Sequence, residues 1–93
     1  MSVEYQVRPV VQLHWASWDD DYVVFDETSG QTHQLDAVRA YVLDLLIEAP
    51  RLIPYLAGAL SQSTSVPASE AAELIEVVIN DFQTIGLVEA IAS

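Results

Sequence analysis

An α+β domain, with three short antiparallel strands followed by three helices, is the fold this chain predicts. Three observations carry that expectation. Tyr22-Val23-Val24-Phe25-Asp26 and Gln31-Thr32-His33-Gln34-Leu35 are two apolar-rich runs joined by Glu27-Thr28-Ser29-Gly30, the pattern of a β-hairpin with a glycine turn. Asp36 follows with almost no loop and is placed to cap a helix through Leu46, because its carboxylate accepts hydrogen bonds from free N–H groups of a first turn. Further on, Ala71, Leu74, Ile75, Val78, Ile79, Phe82 and Ile85 recur at helical spacing and form one stripe.

Taken in order, residues 1–12 show no clear periodicity. Pro9 lies between Val7 and Val10-Val11, which suggests an extended N-terminal segment or an edge strand. Leu13 to Trp18 alternates partially, with Leu13 and Trp15 on one face, and is expected as the first strand. Asp19-Asp20-Asp21 should turn, since three adjacent carboxylates repel one another in a buried strand. It lacks the alternating oxygens and distal bidentate carboxylate of a calcium loop. In the third strand His33 shares a face with Leu35, while Thr32 and Gln34 point the other way.

The first helix, about Ala37 to Glu48, is apolar nearly all round and so should be central. Leu52, Ile53, Leu56, Ala57 and Leu60 mark a short second helix, with Pro54 tolerable only in its first turn. Gln62 to Pro67 reads as a polar loop. The third helix should start between Pro67 and Ser69 and run to Ile85, with Gly86 in the left-handed stop position and Leu87 folding back on Phe82. Val88 to Ile91 would form a short closing strand. Residues 13–93 are then one domain, and three helices beside a small sheet give a winged helix-turn-helix-like arrangement with the hairpin placed first.

Composition excludes several function classes. The chain has 93 residues, of which 52% are hydrophobic, enough to build a core without disulfides or metals. It has no cysteine, no apolar run long enough to span a bilayer and no signal-peptide pattern, so a soluble cytoplasmic protein is expected. Fourteen acidic residues face three arginines, Arg8, Arg39 and Arg51, for a net charge of −11. Such a surface repels phosphate backbones and anionic lipids, so neither nucleic acid nor membrane is an expected partner. His14 and His33 have no nucleophile elbow beside them, two histidines without cysteine make a poor zinc site, and no glycine-rich phosphate loop occurs. An acyl carrier would need an Asp-Ser-Leu attachment site, which is missing. The expectation is a non-enzyme with no cofactor and no metal.

The wide stripe on the third helix suggests a use. If the first helix does not cover all of it, the third strand and third helix flank an apolar groove. An extended peptide could then add a strand to the sheet edge.

The hairpin Tyr22 to Asp26 … Ser29 to Asp36, the apolar helix after it and the ending Ile85-Gly86-Leu87-Val88-Glu89 together resemble PqqD-family proteins. The Trp15/Trp18 opening and the Gly30-Gln31-Thr32-His33-Gln34-Leu35-Asp36 strand look most like PqqD-like peptide chaperones associated with an HPr-kinase-related protein. The resemblance runs from about Leu13 to Glu89 and implies a RiPP recognition element. Such a domain binds the leader segment of a ribosomally made precursor peptide as an added strand and delivers it to a modifying enzyme, without chemistry of its own. On that resemblance, the peptide contacts would be Thr32, His33, Gln34 and Leu35 on the strand and Ile75, Val78, Ile79 and Phe82 on the helix. The alternatives are a winged-helix transcription regulator, or a structural subunit whose groove is filled by a partner or by a second copy as a homodimer. The regulator would need a basic recognition helix, whereas helix three carries Glu70, Glu73, Glu76 and Asp81 and no Lys or Arg.

Overall fold

The computed structural model describes residues 3–9, 12–18 and 21–92. Its elements are β1 (Val3–Val7), β2 (Leu13–Trp18), β3 (Asp21–Asp26), β4 (Gln31–Leu35), α1 (Ala37–Glu48), β5 (Arg51–Leu52), α2 (Ile53–Thr64), α3 (Ala68–Thr84) and β6 (Val88–Ala92). The β-β-β-α-α-α succession expected from Leu13 onward is present.

The strands form two three-stranded antiparallel sheets, in the orders β2-β3-β4 and β5-β1-β6. The second sheet revises the reading of the N-terminus. Val3–Val7 is a central strand rather than an edge, with Tyr5 opposite Arg51 on one side and Ala90 on the other. Its partners lie nearly fifty and more than eighty residues away, so no local pattern announced it. Residues 10 and 11 lie outside the described residues, as do 19 and 20 of the expected acidic turn, whereas Asp21 already belongs to β3.

α1 begins where expected. Asp36 Oδ1 accepts the Arg39 backbone N–H at 2.8 Å, satisfying a donor that the helix itself leaves free. Ala40, Val42, Leu43 and Leu46 are buried, and the helix touches both sheets and both other helices, as its broad apolar surface required. Leu52 belongs to β5 and not to α2, and Pro54 sits in the first turn of that helix. The polar loop is shorter than expected: Gln62, Ser63 and Thr64 remain helical. The Thr64 hydroxyl donates to the Leu60 carbonyl at 2.7 Å, one turn back, so the last turn keeps a side-chain tie.

α3 ends in a Schellman stop. The Leu87 N–H donates to the Phe82 carbonyl at 2.9 Å and the Gly86 N–H to that of Gln83 at 3.2 Å, with Gly86 at φ +80°. Leu87 is thereby folded into the core beside α3 and feeds β6 back onto β1. The core is one cluster reaching from Val24 and Leu35 on the first sheet through α1, α2 and α3 to Val88. No described helix is long and apolar enough to cross a membrane.

Candidate functional site

β4 lies at the border of the β2-β3-β4 sheet, paired with β3 alone among the described strands. Backbone donors and acceptors on its outer side therefore have no strand to pair with, which makes the border a template for an added one. The strand is held at both ends. At its start the Asp26 carboxylate accepts the Thr28 N–H and the Ser29 hydroxyl, each at 2.9 Å, and the Asp26 carbonyl accepts the Gly30 N–H at 2.8 Å. Burial of Asp26 opposes ionisation, but the Ser29 hydroxyl, the Thr28 and Ser29 N–H groups and the nearby His33 outweigh it and hold the carboxyl below its usual range. At the far end Asp36 caps α1 and also receives the Arg39 guanidinium at 2.7 Å.

The second guanidinium nitrogen of Arg39 reaches Asp81 on α3 at 2.5 Å. Hydrogen bonding to Asp81 is the main cause of an Arg39 pKa raised above its usual value; burial opposes it, and Asp36 adds to the rise. This clamp orients α3. Leu74, Val77, Asp81 and Ile85 are spaced i, i+3, i+7 and i+11, so they share one flank of the helix. Because Asp81 on that flank is bonded to Arg39, which also holds Asp36 just after β4, the Asp81 end of the flank is tied to the end of the β4 border. Leu74, Val77 and Ile85 are 41%, 55% and 41% exposed, an unusual amount of bare apolar surface for one helix flank.

The residues expected to contact a peptide divide into two groups. Thr32 and Gln34 are exposed on the outer face of β4, His33 is half-buried and Leu35 belongs to the core. The His33 Nε2 is enclosed and has no hydrogen-bond partner among the described residues. Ile75, Val78, Ile79 and Phe82 are 0–2% exposed and pack in the core, so they stand behind the exposed flank rather than on it. Leu74, counted with the core stripe in the sequence, is out on that flank together with Ile85. Val77 lies among the polar residues Glu73, Glu76 and Asn80 in the sequence, and that one apolar exception is the signal of this surface.

Among the described residues no group of His, Cys, Asp or Glu could hold a metal ion. The arrangement offers a strand border held by hydrogen bonds at both ends, an apolar flank on α3 and acidic residues Glu70 and Glu73 on the same helix, which together suit an extended apolar segment with basic flanks.

No family model matches the chain. No curated protein matches it either. Two solved structures share its fold. One, "Lasso peptide synthetase B1 complexed with the leader peptide", has 21% sequence identity and a TM-score of 0.72, covering 91% of this chain and 96% of that one. The other, "TbiB1 in Complex with the TbiA(beta) Leader Peptide", has 23% identity and a TM-score of 0.75, covering 95% and 99%. At these identities the chain has the fold of those leader-bound proteins.

Proposed function

We propose that this protein is a RiPP recognition element, a non-catalytic chaperone that takes the leader segment of a ribosomally made precursor peptide as a fourth strand on β4. The carrying observation is the β4 border, unpaired among the described strands, held at both ends and tied through Asp36, Arg39 and Asp81 to the helix that carries the exposed apolar flank. Backbone pairing to Thr32, His33, Gln34 and Leu35 supplies affinity, since a border fixed in advance loses little freedom on binding. Apolar leader side chains pack on Leu74 and Val77, with Ile75, Val78, Ile79 and Phe82 as the packed layer beneath them. The PqqD-family resemblance and the two leader-bound neighbours support this reading.

The loaded domain then presents the peptide, in the cytoplasm, to a modifying enzyme. The resemblance points to an HPr-kinase-related protein for that role, and the neighbours point to the lasso-peptide class. The acidic α3 disfavours the transcription-regulator alternative, because no Lys or Arg is present there to meet phosphates.

An NMR titration of the labelled chain with synthetic leader segments from neighbouring short reading frames tests the proposal. Shifts concentrated on Thr32 to Leu35 and on the Leu74–Val77 flank are expected. Shifts confined to another surface, or none with any leader in a folded monomer, would overturn it.

A further inference from the structure

α1 does not cover the whole inner face of the β2-β3-β4 sheet. Trp15 and Tyr22 occupy the same face, since Trp15 stands opposite Val24 and Tyr22 is two residues from Val24 along β3. Val24 is fully buried, whereas Trp15 and Tyr22 remain 40% and 38% exposed. Between them and the helix lies a cavity of about 420 Å³, walled by Trp15, Tyr22, Tyr41 and Asp44. The helix side opposite the sheet is thinned by Ala37 and Ala40, whose small side chains leave the space open.

The lining has the chemistry of a cation receptor. Three aromatic side chains, whose rings can attract a cation through their π-systems, and the Asp44 carboxylate line it, while no basic residue contributes to the wall. Among the described residues no arginine reaches into this wall. Arg39 is taken by Asp36 and Asp81. Arg51 reaches Glu48 and lies over the Tyr55 ring. Arg8 lines a separate cavity, also bordered by Trp15, with its guanidinium beside Gly86. Asp44 forms no ion pair among the described residues, in a chain of net charge −11.

We infer that this cavity receives one cationic side chain, arginine or lysine, projected by the modifying enzyme to which the leader is presented. That partner assignment rests on the proposed function; the cation preference does not. The geometry separates the two ligands. A peptide strand added to β4 would lie three strand spacings from β2, roughly 14 Å. Trp15 on β2 would then stay open for the enzyme while the leader is bound.

The test is an NMR titration of the full chain with N-acetyl-arginine methylamide, with the citrulline analogue as a neutral isostere. Saturable shifts at the Trp15 indole, Tyr41 and Asp44 are expected with arginine. They should be about tenfold weaker with citrulline, and about tenfold weaker with arginine in Asp44→Asn. An equal response to the two probes, or no saturable response, overturns the cation site, whether or not any leader binds. For the partner assignment, Asp44→Asn should leave leader affinity unchanged and weaken association with the enzyme. Loss of leader affinity, or unchanged association with the enzyme, overturns that part.

Discussion

The Arg39 guanidinium joins Asp81 on α3 at 2.5 Å, across 42 residues of sequence, while its other nitrogen holds Asp36 at the end of β4. One side chain thus sets the spacing between the strand border and the helix flank proposed to bind peptide. The pair is partly exposed, so it is worth only about 0.5–1 kcal/mol of stability. Asp81→Ala should lower Tm by roughly 2–8 °C in a chain of this size. Its larger effect should be on leader affinity, through a displaced α3. Thermal denaturation and calorimetric titration of the same variant separate the two.

Neighbouring positions on α3 should behave oppositely. Val78 is 2% exposed in the core, and Val78→Asp would bury an unpaired charge, costing upwards of about 4 kcal/mol and unfolding the domain. Val77 is 55% exposed, and Val77→Asn should keep stability within about 0.5 kcal/mol. Asn avoids placing another carboxylate one turn from both Glu73 and Asp81. Leader binding should nevertheless fall about tenfold, the loss expected for an apolar contact of valine size. Circular dichroism with calorimetry on each variant checks the contrast.

Acid sensitivity should trace in part to Asp26. Its folded carboxyl is held below the usual value, so the ionised form stabilises the native state. That contribution is complete above the unfolded value of about 4 and disappears as pH falls through the depressed folded value. The stability gap between the natural chain and Asp26→Asn should therefore be widest near neutrality and close below about pH 4. Urea midpoints measured across that range give the curve.

Two glycines should respond with opposite signs. Gly86, at φ +80°, terminates α3, and Gly86→Ala should cost about 1–2 kcal/mol by forcing a side chain into the left-handed region. Gly58 lies inside α2 with nothing within 4 Å of an added Cβ, so Gly58→Ala should stabilise by about 0.5–1 kcal/mol. Chemical denaturation of the two variants is sufficient.

Caps, stops and turns were the legible part of the local chemistry. The Asp36 cap, the hairpin turn ending at Gly30, Pro54 in a first helical turn and the Gly86 stop each depend on a few adjacent residues, so they could be read directly. From residue 13 onward, the main strands and helices, the acidic surface and the apolar content of α1 and α3 follow from the residues in line. Tertiary structure alone decided which of those apolar residues face solvent. Ile75 and Leu74 are equally apolar and adjacent in sequence, yet one is in the core and the other is 41% exposed, because the Arg39–Asp81 clamp and the neighbouring elements fix the rotation of α3. The second sheet and the aromatic cavity arise the same way. They bring Tyr5 to Ala90 and Trp15 to Tyr41, pairs whose closeness depends on chain folding over distances that periodicity cannot encode.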